Sequence, residues 1–396
     1  MNIKSLLLGS AAALIAVSGA RAADAVVVAE PEPAEYVKIC DVYGSGYFYI
    51  PGTETCLRIG GYVRYDIGMG DVGAFTGAES VDHEDGDVQD TWYKNTRFTL
   101  KTWTGQETEL GTLKTYTETR FNFGNNNRHA FFNSTDSFDS NPAGMKSVSL
   151  NFAWIQLGGL RVGKDESAFN TFIGYAGNVI QDTLVPYGGF DTNVVQYYFD
   201  AGNGLSAVVS LEEGSGDAGA AVLDGAGNYV FNATSGNDTI DSYVPHVVGG
   251  VKYTQGWGDI IAVGAYDSTW EEWAGKVRLD VNATSELSLF LMAGYGTDDN
   301  IDRNFYKQWG GNWAVWGGGT YKFNEKTSFN LQASSDDDKN YGVAANVAYD
   351  IVPGLTVTAE VDYDHDGKFG DVDNRNWTNG DKKNSVGGLL RFQRSF

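Results

Sequence analysis

The chain has 396 residues, with 51 glycines, 7 prolines and 13% aromatic residues. An excess of glycine and aromatic residues with little proline favours a large antiparallel β-protein over a low-complexity chain. The formal net charge of -23 argues against nucleic acid as a partner, because nucleic-acid binding depends on a basic surface.

Residues 1–22 have the three parts of a cleaved export signal. Lys4 supplies the positive start, residues 6–17 are apolar, and Ala20, Arg21 and Ala22 form the cleavage site. The apolar part is too short to cross a bilayer, and no later run has the length of a transmembrane helix. We therefore expect export from the cytoplasm, and any membrane insertion must use β-strands.

Residues 23–55 are expected to form a Pro/Glu-rich linker followed by a disulfide loop. Cys40 and Cys56 are the only cysteines, and an oxidising compartment favours a bond between them. Closing a loop of about 15 residues contributes roughly 3 kcal/mol in the chain-entropy model. The alternatives are a metal site and a catalytic thiol, but both need additional His or Cys residues that are not nearby.

From Cys56 onward, apolar and polar residues alternate with a period of two, as in strands with one wet face. We predict about 16 strands, an even number that is typical of an outer-membrane barrel. They lie at 56–68, 91–104, 110–124, 147–158, 160–164, 192–200, 204–213, 246–255, 258–268, 270–283, 286–297, 312–323, 326–335, 339–351, 354–366 and 384–396. Linkers after even-numbered strands are short, and most of those after odd-numbered strands are long and acidic, as periplasmic turns and external loops are. The predicted fold is all-β, a 16-stranded antiparallel transmembrane barrel over residues 56–396.

The last predicted strand ends on an aromatic residue, Phe396. We expect this strand to close the barrel against the first one, which removes both edges of the sheet. Phe396 would then lie in the aromatic girdle at the periplasmic interface.

The loop at 165–191 differs from the other long loops because it is rich in apolar residues. A long apolar loop is usually functional, and folding it into the barrel would bury those side chains and narrow the lumen. Its acids Asp165, Glu166 and Asp182 would then face inward-pointing bases of the first three strands, namely Arg58, Arg64, Arg97, Lys101, Lys114 and Arg120. In a narrow passage salt screens such charges incompletely, so small hydrophilic solutes would pass through a transverse field. The alternative is a set of ordinary salt bridges along the lumen.

The segments "MNIKSLLLGSAAALIA", "ICDVYGSGYFYIPGTETCLRIGGYVRYDIG" and "LLRFQRSF" closely resemble the alphaproteobacterial general porins. The resemblance implies a 16-stranded channel of the bacterial outer membrane with an inward-folded third loop. It also implies passive diffusion of small hydrophilic solutes and ions and assembly as a homotrimer. We further expect contact with outer-membrane lipid and lipopolysaccharide, and no cofactor. Phe396 would be recognised by the outer-membrane assembly machinery.

Four other interpretations are considered. The aromatic run "NFYKQWGGNWAVWGG" at 304–318 would suit a substrate-specific, sugar-type channel, and a barrel adhesin would carry no ion current. An enzyme finds little support, because none of the common catalytic motifs is present. The acids of "DYDHDGKFGDVD", namely Asp362, Asp364, Asp366 and Asp373, have the spacing of a calcium loop. A solvated acidic loop is the favoured interpretation, because strands flank it and Asp replaces the usual final Glu.

Overall fold

The computed structural model describes residues 38–125, 142–216, 238–301, 303–369 and 382–396, and the backbone of four short strands in the gaps. Eighteen of its strands form one continuous sheet, and sixteen of them are long. We number them β1 (Cys56–Gly70), β2 (Tyr93–Thr108), β3 (Gly111–Gly124), β4 (Ser149–Leu157), β5 (Leu160–Glu166), β6 (Asp191–Asp200), β7 (Leu205–Glu212), β8 (His246–Gln255), β9 (Gly258–Asp267), β10 (Glu272–Asn282), β11 (Leu287–Gly296), β12 (Trp313–Asn324), β13 (Thr327–Asp336), β14 (Tyr341–Val352), β15 (Leu355–His365) and β16 (Asn384–Ser395).

The sheet closes into a 16-stranded barrel. Each strand pairs in antiparallel fashion with the next one along the chain, and β16 returns to β1, where Tyr62 pairs with Ser395 and Gly70 with Gly387. Tight turns join the even-numbered strands to their successors, as at Gly354, whose φ of +81° suits glycine. The predicted fold is confirmed. The largest difference between a predicted and an observed strand end is at β2, which was predicted to end at residue 104 and ends at Thr108.

The two faces of the barrel differ as the alternation predicts. Outward side chains are mostly apolar, and aromatic residues gather near both ends of the strands. Trp273, Tyr295, Trp313 and Tyr341 are exposed at the long-loop end, and Tyr197, Tyr253, Tyr321 and Phe392 at the short-turn end. An apolar band between two aromatic girdles is the outer surface of a membrane barrel.

The disulfide loop covers an edge that the stagger of the barrel leaves open. β16 reaches β1 only from Gly61 onward, so the first residues of β1 lack a partner on that side. The short strand Phe48–Tyr49 pairs there with Leu57 and Cys56, and a Cys40–Cys56 disulfide with a Cα–Cα distance of 6.0 Å holds it. An unpaired strand edge is thereby removed. The predicted signal and linker, residues 1–37, lie outside the described residues.

Residues 167–190, which we call the constriction loop, fold into the barrel. The loop begins with the short helix α1 (Ala168–Thr171), whose first amides are capped by Ser167; its Oγ accepts from Phe169 N at 3.0 Å. Phe169 and Tyr187 are fully buried against Trp309 and Trp316 in the largest apolar cluster of the described residues. The apolar character of this loop is therefore explained by its packing inside the barrel.

The remaining elements are small. They are a 3-10 turn at Asp41–Tyr43, strand Gly144–Met145 beside β3, and three two-stranded hairpins: Ala78–Val81 with Val88–Thr91, Phe131–Phe132 with Phe138–Asp139, and Ala221–Leu223 with Tyr229–Phe231. Among the described residues, no helix has both the length and the apolar character needed to cross a membrane.

Candidate functional site: the constriction inside the barrel

Buried polar side chains of the barrel hold the constriction loop in place. The carboxylate of Glu360 accepts from the amides of Ile180 at 2.6 Å and Gln181 at 2.8 Å. Lys276 Nζ donates to Asn170 Oδ1 at 2.6 Å and to the Tyr187 carbonyl at 2.7 Å, so it joins both ends of the loop. These bonds satisfy backbone groups that the fold removes from water, and they fix the loop against the β7–β15 side of the barrel.

A second segment also turns inward, which the sequence did not predict. We expected 69–90 to be an ordinary external loop, but Val72 and Thr76 are buried inside the barrel. Gln181 of the constriction loop donates to the Val72 carbonyl and accepts from Ala74 N, both at 3.0 Å. Residues 71–77 therefore support the tip of the constriction loop from the β1 side.

The opposite side of the lumen carries the predicted bases, and we call the inward side chains of β16, β1, β2 and β3 the basic wall. Arg64 lies 3.3 Å from Asp66, and Arg391 lies 2.6 Å from the same carboxylate. Arg97 Nε donates to Asn122 at 2.7 Å. The alternation correctly placed these bases inside, but Asp66 partly neutralises the wall at this level.

Lys101 and Arg120 share a second carboxylate on the same wall. Glu118 lies 3.2 Å from Lys101 and 2.7 Å from Arg120, and it also accepts from the Tyr116 hydroxyl. Two cations share this one buried anion, so the wall keeps an excess of positive charge. Lys101 and Arg120 are both half-buried and open to the lumen.

Two of the predicted bases lie away from the narrow region. Arg58 pairs in register with Trp103 and Lys114 with Gly105, both closer to the short turns than Arg64 and Arg97 are. Arg58 stacks on Trp103 at 4.7 Å. We therefore remove Arg58 and Lys114 from the constriction.

The three predicted acids have different environments. Glu166 accepts from the hydroxyl of Tyr175, a loop residue that is 46% exposed, and Asp182 accepts from Tyr187 at 2.6 Å. Burial raises the pKa of Asp182 to about 6, although the Tyr187 hydrogen bond opposes this shift. Asp165 corrects our expectation, because it is buried and pairs with Arg161 at 2.7 Å.

Glu166 and Asp182 are close enough to act on each other through their charges, and Glu360 also acts on Asp182. Arg120 of the basic wall acts on Glu166 in the same way. Glu166, Asp182 and Glu360 therefore lie near one another on the loop side, and Arg120 is the base of the basic wall that acts on Glu166.

Sequence reasoning did not identify several residues of the site, although most of them lie at inward-facing positions of their strands. Asp66 and Glu118 alternate in step with the named bases, and so does Glu360 on β15. Arg391 lies on the inward face of the last strand, of which we considered only the apolar face. Lys276 had no distinguishing signal, because its partners belong to a loop far away in sequence.

Two other expectations need correction. Asp362, Asp364 and Asp366 are buried rather than solvated, because β15 continues to His365 and the first two point into the barrel. Asp373 lies outside the described residues, and no group of acids or histidines within them could hold a metal ion. In the aromatic run at 304–318, Phe305, Tyr306, Trp309 and Trp316 are buried in the apolar cluster and cannot line a sugar path.

A closed barrel with an apolar, aromatic-banded exterior, a polar interior and an inward-folded loop defines a transmembrane channel of the bacterial outer membrane. The comparisons with known proteins agree. The family model described as "Porin subfamily" matches residues 24–389, so the chain belongs to the porin subfamily. It is 52% identical to porin Omp2b of Brucella canis over 397 residues, which cover 100% of both chains.

Solved structures show the same fold at low sequence identity. The outer membrane channel DcaP of Acinetobacter baumannii matches with a TM-score of 0.57 at 17% identity, covering 88% of this chain and 99% of that one. A mutant of the Rh. blastica porin matches with a TM-score of 0.52 at 13% identity, covering 86% of this chain and 100% of that one. The family match and the full-length identity to porin Omp2b show that the protein is a general porin of the outer membrane.

Proposed function

We propose that this porin selects solutes by a transverse electric field between the constriction loop and the basic wall. Glu166, Asp182 and Glu360 supply negative charge on one side, and Arg97 and Arg120 supply positive charge on the other. Two observations support the proposal: Glu360 and Lys276 hold the constriction loop inside the barrel, and Lys101 and Arg120 share the single carboxylate of Glu118 on the basic wall. In a passage of about one Debye length, 8–10 Å, salt does not screen such charges fully.

Small hydrophilic solutes would cross this field by passive diffusion. A dipolar molecule aligns with the field, so crossing the constriction costs it little free energy. An apolar molecule must displace ordered water and gains no electrostatic interaction in return. The proposal assigns the chain no catalytic step and no cofactor.

The assembly proposed is a homotrimer, and the outer surface of β2 and β3 supports it. Most outward positions of the barrel are apolar or aromatic, but Thr102, Thr104, Thr115 and Thr117 point outward on these two strands. Their hydroxyls pair across the strands, Thr102 with Thr117 and Thr104 with Thr115, both at 2.6 Å. A face of short polar side chains suits close contact with another protein better than contact with lipid.

The C-terminal residue supports the proposed role in assembly. The backbone of Phe396 exchanges two hydrogen bonds of 3.1 Å with Gly61 of β1, and its side chain is 58% exposed. Phe396 would be available to the outer-membrane assembly machinery until β16 closes the barrel. Afterwards it would contact lipid in the girdle at the short-turn end, while lipopolysaccharide would contact the opposite end.

The experiment is to record purified protein in a planar bilayer across a range of salt concentrations. A homotrimer with one channel in each protomer should give current steps in groups of three and a conductance that rises linearly with the salt concentration. A folded barrel without current would contradict the channel and favour an adhesin. Conductance that saturates with one sugar would instead favour a substrate-specific channel.

A further inference from the structure

An inward-facing row of aromatic and basic side chains crosses β1 to β5 on the short-turn side of the constriction. The register pairs Arg58 with Trp103, Trp103 with Tyr116, and Tyr116 with Trp154, so these four residues lie at one level of the barrel. Arg161 follows on β5, where it pairs with Gln156 and so lies two residues closer to the short turns than Trp154 does. We call these five residues the aromatic strip.

The members of the aromatic strip contact one another directly. The rings of Trp103 and Tyr116 stack with a centroid distance of 5.4 Å and an interplanar angle of 25°, and Trp154 lies 5.7 Å from Tyr116. Guanidinium groups cover both ends, with Arg58 4.7 Å above Trp103 and Arg161 4.0 Å above Trp154. Rings that stack sideways along a wall expose their edges to the lumen, and an aromatic edge attracts the face of another ring.

The aromatic strip lies on the short-turn side of the constriction and borders the basic wall, where the Tyr116 hydroxyl donates to Glu118. Trp103 follows Arg97 by six positions on β2, which is about 20 Å along an extended strand. All three aromatic residues are half-buried, so their remaining surface faces the water-filled lumen. A solute would reach the strip from the short-turn mouth without passing the constriction loop.

Several hydrogen-bond donors of the strip have no acceptor among the described residues. The indole N–H groups of Trp103 and Trp154 donate to no other residue within the described parts of the chain. Arg58 and Lys114 likewise form no salt bridge with any described residue, while Arg161 is neutralised by Asp165. The local surface is therefore aromatic, rich in donors and positively charged.

We propose that the aromatic strip binds small organic anions that carry a planar ring, the chemical class of the aromatic carboxylates. The ring face lies against the edges of Trp103, Tyr116 and Trp154, and the carboxylate accepts from Arg58 and the indole N–H groups. This inference rests on the proposed channel function, because the solute must enter the lumen. It adds a binding step on the short-turn side to passive diffusion through the constriction.

The test compares two acids of the same charge in planar-bilayer recordings, benzoate with a planar ring and cyclohexanecarboxylate with a puckered one. We expect benzoate on the short-turn side to block the potassium chloride current at a concentration about threefold to tenfold lower than cyclohexanecarboxylate does. Trp154→Leu and Trp103→Leu should each remove most of this difference. Trp154→Phe, which keeps a ring, should retain it.

Trp273→Leu is the matched control, because Trp273 is an indole on the outer face and 59% exposed. It should leave the block by benzoate unchanged. Equal block by both acids in a conducting wild-type channel would overturn the proposal that the aromatic strip binds planar anions, and it would leave the channel function unaffected. Absence of current in the wild type would instead overturn the channel function on which the inference rests.

Discussion

Replacing Glu360 by Gln tests how the constriction loop is held. The Glu360 carboxylate accepts from Ile180 N, Gln181 N and Asn346 Nδ2 at 2.6, 2.8 and 2.7 Å, and it is buried. A glutamine side chain has a single acceptor oxygen, and its NH₂ group would face at least one of these three donors. The change therefore leaves a buried donor unsatisfied and removes the charge from the remaining bonds.

The expected loss is about 2–4 kcal/mol, from one unsatisfied buried donor at 1–3 kcal/mol and the weakening of charge-assisted bonds. The loss is local to the loop, because the 16 strands keep their own pairing. Hydrogen exchange of the amides of Ile180 and Gln181 measures it directly. Their exchange should become about 30-fold to 1,000-fold faster, at one factor of ten for each 1.4 kcal/mol.

Glu325→Gln is the control, since Glu325 is an exposed residue of the turn between β12 and β13. Its effect on loop exchange should be negligible. Single-channel currents of Glu360→Gln should also be noisier and close at lower voltage than those of the wild type. Unchanged exchange at Ile180 and Gln181 would refute the assignment of Glu360 as the anchor of the loop.

Three further predictions concern charge, anchoring and the disulfide. Because the pKa of Asp182 is raised to about 6, lowering the pH from about 7.5 to about 5 should protonate this carboxylate. Reversal-potential measurements should then show a weaker cation preference, and Asp182→Asn should lose this pH dependence. Lys276→Met should free both ends of the constriction loop, so hydrogen exchange near Asn170 should rise, whereas an unchanged rate would exclude Lys276 as an anchor. Cys40→Ser with Cys56→Ser should lower stability by about 3 kcal/mol at most, seen as a lower thermal unfolding temperature, and should leave the conductance unchanged.

The parity of the strands predicted the barrel and its basic wall well, because alternation determines which side chains face the lumen. Arg64, Arg97, Lys101 and Arg120 lie at inward-facing positions of their strands, while their place opposite the loop acids stays a prediction. The apolar residues of the constriction loop likewise required burial, and only the barrel interior offers it. Local pattern and global fold agree at these positions.

The pairing of charges could not be predicted in the same way. Asp66 meets Arg391 only because β16 closes on β1 in one register, and that contact joins the two ends of the sequence. Glu360 meets the loop amides only because the loop crosses the lumen at that height. Contacts of this kind depend on tertiary geometry, whereas alternation reports only the face of the strand.

The reversal potentials of Asp182→Asn and Arg97→Ala, measured across a salt gradient, test the central claim most directly. If the two residues face each other across the same passage, Asp182→Asn should shift selectivity towards anions and Arg97→Ala towards cations. The free energy of unfolding of both variants should stay within about 1 kcal/mol of the wild-type value, because each residue is partly exposed. Unchanged reversal potentials in both variants, or shifts in the same direction, would contradict a transverse field at the constriction.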